Sequence, residues 1–246
     1  MQVDLALSPL DLPRFPDLSR WNVVVIDVLR ATSSMVAAVS SGCKRIIPVE
    51  SVEAGHMLAV DLAPESPVLA GERGGLRPDG YALGNSPGEF TPEAVQGRTV
   101  IMATTNGCRA LKLVEGGNRV LTASFLNLSA TAEGLVREGQ DVLIVCAGTE
   151  SAPSLEDVAC GGALAHRLRE LGGTSCILAD SALIGRNTFG AYPDVLAVLW
   201  RSAHGRYLES IGLGADLEFC AGRDKYPLLL ALDQGAIRGS TIRAKT

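Results

Sequence analysis

The sequence predicts an α/β fold, a mixed or mostly parallel sheet layered between helices. Three observations lead there. Short β-branched runs recur along the 246 residues, helix-length stretches separate many of them, and the chain is 47% hydrophobic with only 4% aromatic residues. Strands alternating with helices argue for parallel pairing with both sheet faces covered.

The elements follow in chain order. Val23–Ile26 has the character of a strand buried on both faces. It leads into Asp27-Val28-Leu29-Arg30-Ala31-Thr32-Ser33-Ser34, where Thr32 to Ser34 are N-cap candidates for a helix over Met35–Val39, and Gly42 stops that helix. Further strands are predicted over Arg45–Val49, Val68–Ala70, Thr99–Ala103, Arg119–Thr122, Val142–Cys146 and Ser175–Leu178. Helices are predicted over Ser51–Leu62, Ala110–Glu115, Leu128–Arg137 and Leu155–Leu171. Glu72–Pro92, dense in Gly and Pro, reads as a long ordered loop of the kind that usually serves function. Val23–Val49 and Thr99–Thr122 echo one another: each runs strand, polar turn, short helix, glycine turn, strand. Two intimately packed, similar lobes with a boundary near mid-chain would give that echo. Any two strand–helix–strand units share it as well, so the reading is one unit over residues 1–246. Trp200 and Leu228–Leu232 read as core before interface, and a homo-oligomer is compatible with either.

Bulk composition narrows the function classes. A net charge of −5 with no long Lys or Arg block argues against a nucleic-acid binder. No apolar stretch approaches the ~20 residues of a membrane span. The first residues lack the basic and apolar regions of a secretory signal. Cys43, Cys108, Cys146, Cys160, Cys176 and Cys220 form no C-x-x-C pair and fit a reducing compartment, so a cytoplasmic protein is expected.

Several motifs could carry chemistry. Asp27 ends a strand, where open α/β sheets bind ligands. An acid, Arg30 and a helix N-terminus at one spot suggest metal-assisted chemistry on a phosphate ester. Gly71-Glu72-Arg73-Gly74-Gly75 and Gly84-Asn85-Ser86-Pro87 supply a carboxylate, a guanidinium and close-approaching backbone donors. Thr104-Thr105-Asn106-Gly107 offers hydroxyls, an amide and a helix start. Ser154 with Asp157 three residues on reads as a capping box, yet Glu156 and Asp157 also follow a strand end and could complete an oxygen-rich Mg²⁺ site. His56, His166 and His204 are too dispersed for a zinc centre and read as solvent-facing or structural. Neither G-x-G-x-x-G after a strand nor a P-loop is present. No cysteine has Arg six positions later, and Leu29 stands where an aspartyl-phosphate phosphatase would carry a second Asp.

Five stretches in order resemble the 2-phosphosulfolactate phosphatase family, the magnesium-dependent enzymes of coenzyme M biosynthesis. They are Val25–Ser33, Gly71–Arg73 through Leu83–Pro87, Thr104–Gly107, Cys146–Gly148 with Leu155–Asp157, and Asp216–Cys220 followed by Asp224. The resemblance spans nearly the whole chain. It implies an α/β fold of unusual topology and hydrolysis of (2R)-2-phospho-3-sulfolactate to 3-sulfolactate and phosphate. It further implies Mg²⁺ held by Asp27 with one or more of Glu72, Glu156 and Asp157, with Asp27 and Arg30 catalytic. A small anionic phosphate ester bearing a sulfonate would be bound by Thr32, Ser33, Arg73, Asn85, Ser86, Thr105, Asn106 and Gly107. The chain departs from the family at Cys108, where Thr is usual. Two other readings keep some of these residues: a general metal-dependent phosphomonoesterase for small phosphorylated acids, and a non-catalytic anion-binding module. The latter has no need of three clefted carboxylates.

Overall fold

The computed structural model describes residues 1–192 and 194–242. In chain order the elements are β1 (Gln2–Ala6), β2 (Asn22–Ile26), α1 (Ala31–Ser40), β3 (Arg45–Val49), α2 (Val52–Asp61), β4 (Val68–Gly71), α3 (Pro92–Val95), β5 (Thr99–Ala103), α4 (Gly107–Leu113) and β6 (Arg119–Ala123). They continue with α5 (Leu128–Glu138), β7 (Val142–Cys146), α6 (Leu155–Gly172), β8 (Ile177–Leu178), α7 (Asp180–Gly190), α8 (Val195–Arg201), α9 (Ala203–Ser210), α10 (Ala215–Cys220), β9 (Leu228–Asp233) and β10 (Ala236–Thr241). The strands form one mixed sheet in the order β4-β5-β3-β10-β9-β6-β2-β7-β1-β8. This is the predicted α/β class. The alternation-based reading missed β1, the β9–β10 hairpin and the helices from α7 to α10, and it began the strand at 175 two residues early, where a 3₁₀ turn stands.

The topology explains the echo between the two segments. β2 pairs with β6 in register from Asn22↔Arg119 to Ile26↔Ala123, and β3 pairs with β5 from Arg45↔Thr99 to Val49↔Ala103. Each strand–helix–strand segment therefore gives its second strand to the other's first. Two parallel blocks result, β4-β5-β3 and β6-β2-β7-β1-β8, bridged by the antiparallel hairpin.

The three antiparallel steps across that hairpin set the blocks pointing in opposite senses. In a flat sheet the ends of β2 and β5 would then lie at opposite edges. Real strands rotate by roughly 20–25° per step, which accumulates to on the order of 100° over the five steps between them. The two ends accordingly meet, and α1 and α4 lie between the blocks. Val23 and Val25 of β2, Val100 and Met102 of β5, Met35 of α1 and Leu111 of α4 share one hydrophobic cluster. Val24 and Ile26 face the other way, into a second cluster with Leu135 of α5 and Leu164 of α6. A strand with both faces in core must be apolar throughout, which is why β2 reads as an unbroken aliphatic run.

α1 is enclosed on nearly all sides, and its residues from Ala31 to Ala38 are buried. Thr32, Ser33 and Ser34 can sit there because each hydroxyl finds a backbone acceptor, as a buried polar group requires. The helix begins at Ala31, four residues before the expected Met35, and none of the three hydroxyls caps it.

Candidate active site

Asp27 sits where β2 ends and α1 begins. Its Oδ1 accepts from the Ala31 N–H at 3.1 Å, so the carboxylate fills the place expected of an N-cap hydroxyl. Thr32 Oγ1 accepts from the Asp27 N–H at 3.1 Å and donates to the Asp27 carbonyl at 2.8 Å. Ser33 Oγ donates to the Val28 carbonyl and Ser34 Oγ to that of Asn85. Thr32 and Ser33 thus knit the turn that aims Asp27, and their hydroxyls are spent on it.

α4 closes the opposite side. A Cβ on Gly107 would lie 2.6 Å from Ala31 Cβ and 2.8 Å from Asp27 Oδ2, so only glycine lets the two helix starts abut. Cys108 does not face this gap. Its buried thiol donates to the Met102 carbonyl at 3.2 Å, and burial pushes it up to about 11.

Three further carboxylates surround Asp27, each held differently. Asp157 Oδ1 accepts from the Val28 N–H at 2.8 Å and Oδ2 from the Gly148 N–H at 3.0 Å, tying the ends of β2 and β7 together. The expected capping box is therefore absent: Ser154 makes no cap bond, and its Oγ lies 2.8 Å from Thr149 Oγ1. Asp157 is drawn away by the two orphan N–H groups across the cleft. Glu72 Oε1 accepts from the Thr105 N–H at 2.8 Å and Oε2 from the Gly75 N–H at 2.9 Å, clamping the long loop to the turn before α4. Glu156 is buried, and His204 Nδ1 stands 4.0 Å from its Oε1.

The charges are crowded. Burial, then Glu72 and Glu156, raise the Asp27 carboxyl to about 7 against the opposing pull of the Ala31 N–H and Arg30. Burial raises Asp157 as well, with Glu156 and Asp27 adding to it, and burial also raises Glu156. Against these stands Arg30, whose Nη1 donates to Asp216 Oδ2 at 2.8 Å and to Ser86 Oγ at 3.1 Å, while Nη2 donates to the Gly75 carbonyl at 2.5 Å. Ser86 donates to the same Asp216 oxygen. Arg30 and Ser86 therefore act as a clasp between the long loop and α10.

The remaining residues named from sequence scatter around the rim. Arg73 turns back to the carbonyls of Glu72 and Glu50, and its charge is felt by Glu53 and Tyr81 on the α2 side. Asn85 is buried, and its Oδ1 has no hydrogen-bond partner among the described residues. Thr105 is exposed and uses its N–H on Glu72, and Asn106 Oδ1 accepts loosely from the Glu150 N–H at 3.4 Å. Asp224 lies elsewhere, accepting from Ser129 N–H and Oγ at the start of α5. Sequence reasoning missed two contributors. Asp216 was matched only as part of a stretch, and His204 was set aside although burial and Arg30 lower its pKa in the cleft wall. No local pattern marks His204; only the packing of α9 brings it to Glu156.

A model of the family described as 2-phosphosulpholactate phosphatase matches residues 8–235. A protein of Caldanaerobacter subterraneus subsp. tengcongensis is 38% identical over 225 residues, covering 91% of this chain and 92% of its own. One of Caldicellulosiruptor saccharolyticus is 41% identical over 207 residues, covering 82% and 84%. One of Clostridium acetobutylicum is 34% identical over 241 residues, covering 96% and 100%. All three carry the name probable 2-phosphosulfolactate phosphatase.

Proposed function

The chain belongs to the 2-phosphosulpholactate phosphatase family, and from that membership we propose that it hydrolyses (2R)-2-phospho-3-sulfolactate to 3-sulfolactate and phosphate with the help of Mg²⁺. The observation that carries the proposal is the charge imbalance around Asp27. Four buried or half-buried carboxylates face a guanidinium that Asp216 already neutralises. Such a cleft repels a phosphate ester unless a cation enters with it.

The donor set fits one kind of cation. Among the described residues, no three His, Cys, Asp or Glu side chains gather closely enough to hold a metal ion unaided. Structural zinc needs such a cage, whereas Mg²⁺ takes one or two carboxylates and completes its shell with water and phosphate oxygens. Asp27 and Glu156 would hold it, because Asp157 and Glu72 spend both oxygens on backbone N–H groups. When bound, the ion supplies Lewis acidity towards the phosphoryl oxygens.

The chain's own residues do the rest. Asp27 keeps Oδ1 on the Ala31 N–H, which leaves Oδ2, beside Gly107, as the oxygen that would hold the ion. Arg30 holds Gly75 and Asp216, so the long loop and α10 keep the cleft walls in place. Burial keeps His204 below its ordinary pKa, so it adds no second positive charge near neutrality. The ten-residue α1 directs its positive N-terminal end at the same spot. Cytoplasmic placement and a part in coenzyme M biosynthesis belong to the same proposal; six free cysteines support the former. No helix among the described residues is long and apolar enough to cross a membrane.

The test is phosphate release from racemic 2-phospho-3-sulfolactate, with and without Mg²⁺, beside 2-phospholactate and an aryl phosphate. Mg²⁺-dependent turnover favouring the sulfonate is the expected result. Equal turnover of all three would replace the reading with a general phosphomonoesterase, and absence of turnover would leave an anion-binding module.

A further inference from the structure

We infer that Asp216 is a positioning residue: it fixes the Arg30 guanidinium so that its Nε edge meets the phosphoryl oxygens of the ester. This rests on the phosphatase reading above, because it presumes a phosphate beside Asp27. Arginine offers five N–H donors in one rigid plane. Nη1 donates to Asp216 Oδ2 at 2.8 Å and to Ser86 Oγ at 3.1 Å, and Nη2 donates to the Gly75 carbonyl. Nε–H has no partner among the described residues. It shares an edge with Nη2, and such an edge matches paired oxygens. The charge of this guanidinium is felt inside the cleft, where it favours ionised Asp27 and disfavours charged His204.

Asp216 touches none of the reacting groups itself. It stands in the first turn of α10, 186 residues from Arg30, and its charge is felt at Cys220 on the same helix. Its Oδ2 also accepts from Ser86 Oγ at 2.8 Å, so one oxygen locks both the guanidinium and the loop hydroxyl beside it. Two effects oppose each other. The carboxylate offsets part of the attraction of Arg30 for phosphate, yet it removes the rotamer freedom that a long side chain would otherwise lose on binding. Donors that stabilise developing charge must be fixed before the reaction, and a 1 Å misplacement costs roughly 100-fold. Arg30 is held by acceptors from both the long loop and α10, so ordering outweighs neutralisation.

The experiment is a double-mutant cycle on wild type, Asp216→Asn, Arg30→Gln and the double variant, with Asp216→Ala beside them. It reads Mg²⁺-dependent phosphate release from 2-phospho-3-sulfolactate and calorimetric binding of inorganic phosphate, with thermal melts as a folding control. Arg30→Lys, which keeps the buried charge, replaces Arg30→Gln in the cycle if the latter does not melt cooperatively. Asp216→Asn should lower kcat/KM by about 10- to 100-fold and weaken phosphate binding, and Asp216→Ala should lower both further. In the Arg30 variant background, Asp216→Asn should change kcat/KM by no more than about 2-fold, because its effect passes through Arg30. Tighter phosphate binding in Asp216→Asn, or an equal fall in both backgrounds, would overturn the assignment while leaving the phosphatase reading intact. A wild type that releases no phosphate from the ester would overturn both.

Discussion

Asp27 has its two oxygens set to different tasks, and that division sets its chemistry. Oδ1 is fixed by the Ala31 N–H and Oδ2 faces Gly107. Asp27→Asn keeps the shape but removes the charge, and should cost at least ~100-fold in turnover, read by phosphate release. Near-wild-type activity would remove Asp27 from the mechanism. The carboxyl titrates near 3.8 in the unfolded chain and about 7 in the folded one, so the folded state holds an extra proton between them. Stability from this group is therefore present below about pH 4 and lost as pH rises through 7. The metal-free protein should melt progressively lower from pH 5 to 8. Mg²⁺ should raise the midpoint at pH 8 much more than at pH 5, and Asp27→Asn should flatten the profile. Cys108 makes a contrasting case. Its buried thiol donates to the Met102 carbonyl and also meets Thr104, contacts a hydroxyl can also make, so Cys108→Thr should leave activity unchanged and shift the melting midpoint by no more than ~3 °C. The resemblance marked this position only as a departure from the usual Thr, because a pattern of residue types carries no direction for a side chain.

At the scale of elements, what could be read and what could not divide along physical lines. β5 and β7 were legible to the residue because a parallel strand buried along its whole length must be largely apolar, and β3, with only Ile46 buried, was legible through its short Ile46-Ile47-Pro48-Val49 run. The start of α1 was not, since hydroxyls that look like caps are used inside an enclosed helix and a carboxylate four residues earlier does the capping. Asp157 misled in the same way: its spacing from Ser154 is that of a box, but its partners come from β2 and β7. The acids and the long loop were found because strand ends and glycine clusters are local signals, whereas Asp216 and His204 reach the site only through tertiary packing. α6 and α7 supply a sharper test. A Cβ on Gly162 would lie 1.9 Å from the Gly185 carbonyl oxygen, so the two backbones touch where these helices cross. Gly162→Ala should destabilise by about 2–4 kcal/mol, measured by denaturant melts.

Across the whole molecule, the exchange of second strands makes the two segments mutually dependent. β2 without β6, or β3 without β5, loses a neighbour along its entire length. A fragment ending at residue 97 should therefore show no cooperative melt by circular dichroism, and cooperative melting would mean that the first segment carries a core of its own. The same exchange brings both helix starts to one point, so the site exists only once the entire sheet does.

The hairpin of β9 and β10 occupies the middle of the sheet, yet it is synthesised after every other described strand. While a ribosome is still short of residue 228, β3 and β6 are bare edges with unpaired N–H and C=O rows, and each could recruit a stray strand from a neighbouring nascent chain. The fold is thus most exposed to misassembly until the hairpin has emerged. Pausing just before those codons would lengthen that window, and insertion of the hairpin between β3 and β6 would close it.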